Sequence, residues 1–188
     1  TIKINDGAQD GATITYTITI ADANDQTPTY TATSTTPTVT EGATAVDTNV
    51  AITDTDTGDS NTCTKGGADA DLFTCTVTAT AYSVAFSSAP DYDSGTACAA
   101  GNSCTVTIKI NDGAQDGATI TYTIAIADAN DQTPAVTVDE SYATAEATTV
   151  FQTFTIVDTD TTGTYGCTLG GADSAAFSKT VTGKNCVV

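Results

Sequence analysis

The chain has 188 residues, of which 23 are acidic and 5 are lysine, with no arginine and no histidine, giving a formal net charge of -18. That balance excludes a nucleic-acid partner, because phosphate is repelled and no counterion release drives binding, and the lack of histidine excludes zinc sites of the mixed Cys/His kind. No apolar run reaches the roughly 18 residues of a membrane-spanning helix, while six cysteines without a CxxC pair point to disulfides and an oxidising, extracellular setting.

In chain order, the first element is Thr1 to Pro28, where Ile14, Tyr16, Ile18 and Ile20 alternate with threonines. A period of two is the mark of a half-buried strand. Thr31 to Thr40 combines Thr, Ser and Pro, a composition that fits both an edge strand and a stalk carrying O-linked glycans. DTDTG follows at Asp54 to Gly58, then CTKGGADADLF at Cys63 to Phe73 and PDYD at Pro90 to Asp93. Alternation returns in Val106, Ile108 and Ile110, and Thr107 to Pro134 repeats Thr1 to Pro28 with one difference, Thr19 becoming Ala125. The period is 106 residues. DTDTTG at Asp158 to Gly163 and CTLGGADSAAF at Cys167 to Phe177 repeat the earlier segments at an offset of 104.

These matches divide the chain into the tail of one repeat (1–28), a complete repeat (29–134) and the front of a third (135–188). Turn-forming clusters separate the strands every dozen or so residues, and no stretch has helical periodicity. The expected fold is all-β, a tandem array of Greek-key β-sandwiches with about seven strands in each. The chain starts at Thr1 without a methionine and stops at Val188 in mid-pattern, so we expect a window of a longer secreted polypeptide. Six cysteines allow several connectivities, among which sequence proximity favours Cys63 with Cys75, Cys98 with Cys104 and Cys167 with Cys186.

The acidic residues concentrate between strands: DANDQTP at Asp22 to Pro28 and again at Asp128 to Pro134, the two DTD segments, NDG, PDYD, and a single glutamate, Glu41 or Glu146. Calcium takes 6 to 8 oxygen ligands from carboxylates, amides and backbone carbonyls, and acidic turns supply all three. Such turns can also be merely solvated, since Asp, Asn and Gly are ordinary turn residues, but crowded carboxylates repel by about 1 kcal/mol per pair even in a water-like dielectric.

In repeat length, and in the order of its acidic segments, the chain resembles the cadherin repeat, whose members end in DxNDNxP. The resemblance covers the whole chain and implies calcium bound between repeats. Carried over by motif, one junction draws on Glu41, Asp91, Asp93, Asp128, Asn130, Asp131, Asp158 and Asp160. The preceding junction draws on Asp22, Asn24, Asp25, Asp54, Asp56, Asn61 and Asp112. Asp6 belongs to a junction further upstream, and Glu146 completes the set of candidate ligands. PDYD stands where the family has LDRE or LDYE, and Gln26 and Gln132 replace the second Asn of the linker, where a backbone carbonyl can still serve.

No catalytic constellation accompanies these acids: there is no glycine-rich phosphate loop, no Ser or Cys beside a base, and no aromatic sugar platform next to Asp91 and Asp93. The reading is therefore not an enzyme but a structural extracellular protein, a calcium-rigidified filament or stalk partnered by further copies of the same repeat. The alternatives are an adhesin that recognises glycans or a cell-surface partner, and a surface-protein sandwich with a covalent Lys to Asn cross-link through Lys3 or Lys109. Asn61 and Asn102 sit only in the N-x-C variant of the N-glycosylation signal.

Overall fold

Threonine and branched apolar residues in alternation favour extended backbone, because a branched β-carbon packs well on a pleated surface. The computed structural model, which describes residues 1–58, 60–136, 138, 143, 145–149 and 152–188, realises that preference in twelve strands. Helical structure among the described residues amounts to two 3-10 turns, at Ala70–Leu72 and Ser174–Ala176, and no helix is long and apolar enough to cross a membrane.

Strands β1 (Thr29–Tyr30), β3 (Ala45–Thr53), β6 (Ala81–Phe86) and β5 (Phe73–Val77) form one sheet in the order β1-β3-β6-β5. The facing sheet has the order β2-β8-β7-β4, from β2 (Thr38–Thr40), β8 (Ile120–Ala127), β7 (Ser103–Asn111) and β4 (Thr62–Gly66). All pairings are antiparallel except that of β2 with β8. The chain crosses from one sheet to the other between β1 and β2, through Pro37, which has no amide hydrogen to give to a ladder. Counting β1 and β2 as one divided edge strand, this is a seven-stranded Greek-key sandwich.

The predicted alternation is visible in β7, where Cys104, Val106, Ile108 and Ile110 are fully buried and every second residue is partly exposed. Tyr122, Ile124 and Ile126 of β8 add to that face, and Val50, Ile52, Tyr82, Val84 and Phe86 oppose them. Phe73 stacks on Phe86 with ring centroids 4.4 Å apart. Polar atoms inside this core are paired: the Tyr122 hydroxyl donates to Asp47 Oδ2 at 3.0 Å and meets the Tyr82 hydroxyl at 3.0 Å. Burial first, then the bond to Tyr82, pushes the Tyr122 hydroxyl far above its ordinary pKa. The absence of a side chain at Gly117 is required, because a β-carbon there would lie 2.5 Å from the Tyr30 ring.

A third sheet, from β9 (Ala135–Val136), β10 (Thr153–Val157), β12 (Asn185–Val187) and β11 (Thr180–Thr182), has the order β9-β10-β12-β11. That order parallels β1-β3-β6-β5. The cysteines pair as neighbours in sequence, Cys63 with Cys75, Cys98 with Cys104 and Cys167 with Cys186.

One expectation fails. Ile14, Tyr16, Ile18 and Ile20 lie in no strand and are 48, 62, 84 and 91% exposed, whereas their counterparts Ile120, Tyr122, Ile124 and Ile126 belong to β8 and pack in the core or against it. The local turn is the same in both copies: Lys3 pairs with Asp10 and Lys109 with Asp116, each at 2.7 Å. Asp6 bonds the amides of Ala8 and Gln9 as Asp112 bonds those of Ala114 and Gln115. Turn geometry is a local property, but burial needs an opposing sheet, and among the described residues none covers the first copy.

Candidate metal centre

At one end of the β1–β8 sandwich, the turn after β2, the loop between β6 and β7 and the segment after β8 converge. Glu41, which is buried, ties them together: Oε1 accepts from the Ala129 amide and Oε2 from the Tyr92 amide, each at 2.7 Å. Asp93 stands beside it, and both of its carboxylate oxygens are buried without a hydrogen-bond donor. One carboxylate oxygen from each of Glu41, Asp91 and Asp93 lies within 4.8 Å of the others, and the same holds for Asp93, Asp128 and Asp160. Asp93 therefore bridges two acidic trios.

Electrostatics follow from that crowding. Burial, then the charges of Asp160, Glu41, Asp128 and Asp131, push the Asp93 carboxyl above its ordinary pKa. Burial also raises Asp160, helped by Asp158, Asp128 and Asp131, although the Gln132 amide donates to it at 3.0 Å. Asp128 is held low instead, because the hydroxyl and amide of Thr161 both donate to its Oδ2, while its Oδ1 is buried without a donor. Asp158 Oδ1 accepts from the Asp160 amide at 3.1 Å, Asp131 Oδ1 accepts from the Gln132 side chain at 2.9 Å, and Asn130 lies against Gly163.

A matching arrangement occupies the opposite end. Asp22 Oδ2 accepts from the Thr57 amide at 2.8 Å and its hydroxyl at 2.9 Å, and Asp56 Oδ2 accepts from the amides of Asp25 and Gln26 at 2.7 and 2.6 Å. Asn24 donates to the Asp112 carbonyl at 3.1 Å, and Asn61 to that of Ala79 at 3.0 Å. Asp54 Oδ2, Asn61 Oδ1 and Asp112 Oδ2 are buried there without a donor.

Buried oxygens normally find a donor, and each one that does not calls for an explanation. Seven such side-chain atoms occur among the described residues, and six of them belong to Asp54, Asn61, Asp93, Asp112 and Asp128, all predicted ligands. Carboxylate and amide oxygens in closed clusters, with no nitrogen or sulfur donor, fit a hard divalent cation of the calcium type. The seventh, Oδ1 of Asn102, belongs to a side chain that donates to the Tyr92 carbonyl at 2.9 Å and so steadies the acidic loop. In the sequence Asn102 stands out only as part of an N-x-C variant, and its approach to the Tyr92 carbonyl in space is what reveals the contact. Asp6 and Glu146 are exposed and lie outside both clusters. Gln26 and Gln132 contribute through their amides, which fix Asp56 and Asp160.

Two four-stranded sheets in Greek-key order define the class of a β-sandwich module, and its acidic groups could hold a metal ion. Comparison with solved structures makes the class specific: the chain has the cadherin-like fold. It superposes on mouse clustered PcdhgC3 EC1-3 with a TM-score of 0.56 at 16% identity, covering 90% of this chain and 58% of that one. Human CDH23 EC21-23 gives 0.53 at 23%, covering 76% and 47%, and a protocadherin gammaB7 EC3-6 cis-dimer gives 0.51 at 21%, covering 75% and 35%. The chain thus spans between about a third and three fifths of the solved chains it resembles. No protein-family model and no curated protein matches it.

Proposed function

We propose that this chain is a structural module of an extracellular repeat array, a stalk or filament, in which calcium stiffens the junctions between repeats at 1–28, 29–134 and 135–188. The observation that carries the reading is Asp93, whose two buried, donorless oxygens sit between Glu41 and Asp91 on one side and Asp128 and Asp160 on the other. Without a cation these groups repel; with one, ligands from β1–β8, from the linker and from the segment leading out of β10 share a single charge. Glu41, Asp91, Asp93, Asp128, Asn130, Asp131, Asp158 and Asp160 would hold the ion at this junction, and Asp22, Asn24, Asp25, Asp54, Asp56, Asn61 and Asp112 at the other. The ion supplies charge neutralisation and a rigid joint rather than bond-making chemistry, so the role is mechanical and not catalytic. Extracellular modules of this kind work at about 10⁻⁴ to 10⁻³ M calcium.

One of the solved structures it resembles is a protocadherin cis-dimer, which supports self-association as the class of partner. Paired cysteines support an oxidising location. Titrating calcium into chelated protein, with the melting temperature and the scattering-derived maximum dimension as readouts, tests the reading. We expect the midpoint to rise and the particle to lengthen over the millimolar range. Constant values up to several millimolar calcium, or an equal response to magnesium, would overturn it.

A further inference from the structure

We propose that Asn102, with Asp69 behind it, is a positioning residue of the metal centre, holding the Tyr92 carbonyl, and with it Asp91 and Asp93, in place before an ion arrives. The identity of the ion rests on the junction reading above, whereas the hold on the loop rests on contacts within residues 29–134. Asp91 and Asp93 flank Tyr92 in the loop between β6 and β7, and the Tyr92 side chain packs against the core. Two polar ties reach that residue from outside the loop: its amide donates to Glu41 Oε2 at 2.7 Å, and its carbonyl accepts from Asn102 Nδ2 at 2.9 Å. The same carbonyl accepts from the Gly95 amide at 3.0 Å, a bond inside the loop that sets its shape but not its place.

Asn102 itself stands on a fixed frame. Its own carbonyl accepts from the Ile126 amide of β8 at 2.9 Å, and just before it Cys98 and Gly101 exchange backbone bonds of 2.8 and 3.0 Å. The bridge between Cys98 and Cys104 closes this turn, and Gly101 takes a φ of 75° within it, which a residue without a β-carbon adopts freely. Asp69, in the GGAD segment at the end of β4, is only 5% exposed. One of its carboxylate oxygens accepts from the Ala99 amide and the other from the Thr105 amide, each at 2.7 Å. The backbone is thereby pinned on both sides of Asn102, and a buried acid that belongs to neither metal cluster has a task.

The acidic loop needs such a hold. Asp93 faces the charges of Asp160, Glu41, Asp128 and Asp131, and without an ion their repulsion weakens as the loop swings outward. Glu41 ties the loop but is one of the repelling acids; Asn102 is neutral and restrains the loop without adding to the charge. Its Nδ2 is the atom that an N-linked glycan would take, and its Oδ1 is buried, so the side chain is committed to the loop. Removing a group that orients metal ligands from behind typically weakens the metal by about 10–100-fold, because a ligand already in place loses less freedom on binding.

The test compares, in the full chain, Asn102→Leu, which keeps the bulk and loses the donor, with Asn102→Gln and with Val84→Ala, a core substitution in β6 away from the loop. In chelator, Asn102→Leu should speed amide exchange at Tyr92 and Gly95 by about fivefold or more relative to the rest of the sandwich. Calorimetric titration with calcium should then show the sites at the Glu41 and Asp93 end, assigned with Asp93→Asn, weakened about tenfold or more. Those at the Asp54 and Asp112 end should stay as in the parent, and Asn102→Gln should fall between. Val84→Ala should lower the melting temperature and leave both affinities unchanged, which separates positioning from a general loss of stability. Unchanged exchange at Tyr92 and Gly95, no weakening of calcium, or equal weakening at both ends would each overturn the proposal. A parent chain that takes up no calcium at either end would sink the junction reading instead, and the exchange in chelator would still decide whether Asn102 holds the loop.

Discussion

Replacing Glu41 by alanine separates its two roles, tying loops together and facing the acidic trio. Its oxygens accept the Ala129 and Tyr92 amides at 2.7 Å, from residues 88 and 51 positions away in sequence, and hydrogen bonds to a charged group contribute about 1.5–3 kcal/mol each. Both amides lose their acceptor in Glu41→Ala, while repulsion from Asp91 and Asp93 is relieved, so the net cost falls near the lower end, about 3 kcal/mol. For a cooperative unit of about 100 residues, 1 kcal/mol moves the midpoint by about 4–8 °C, and a loss of more than about 10 °C is expected by calorimetry in chelator. Glu41→Gln keeps an acceptor for one amide and should fall between. A change below about 2 °C in chelator would refute the reasoning, because Glu41 would then hold no loop and face only solvent or an ion.

Asp93→Asn removes one charge from between the two trios and should act with opposite sign in two conditions: a higher melting temperature in chelator, and a calcium half-saturation weakened about tenfold or more, read by calorimetric titration. Acid should have a related effect. The Asp93 and Asp160 carboxyls are raised in the folded chain, so their contribution to metal-free stability is fully present below the unfolded value of about 3.9 and is lost as pH rises through the raised folded value. Asp112 and Asp128, held low, contribute in the opposite sense, above about 3.9 and lost as pH falls through their folded values. Subtracting the Asp93→Asn profile from the parent isolates the Asp93 part of the first contribution, and calcium should bind more weakly at pH 5 than at pH 7.5. Removing the bridge between Cys63 and Cys75, whose loop is 12 residues, should cost about 3 kcal/mol in the chain-entropy model, checked by denaturant unfolding of the Cys63→Ala/Cys75→Ala variant.

Much of the candidate site is legible in the sequence because turn chemistry is local: DTD, NDG and DANDQTP announce their acids, and repetition at a period of 106 residues tells which belong together. What the sequence does not reveal is which acids are buried. Glu41, Asp93 and Asp160 differ from Asp6 and Glu146 through the amides and carboxylates that distant segments bring against them, and Asn102 joins the acidic loop only through the Tyr92 carbonyl. Asp47, an acid of no motif, is buried against the Tyr122 hydroxyl for the same reason.

The sharpest division lies between the two copies of the 28-residue block. Composition, alternation and turn residues point to a β fold and to disulfides between neighbouring cysteines, and of the features they set, the Lys–Asp turn pair holds in both copies. Tertiary structure alone decides that Ile124 is buried while Ile18, in the same sequence, is 84% exposed. The hydrophobic effect acts on surface removed from water, and a strand can remove only what an opposing sheet is there to cover.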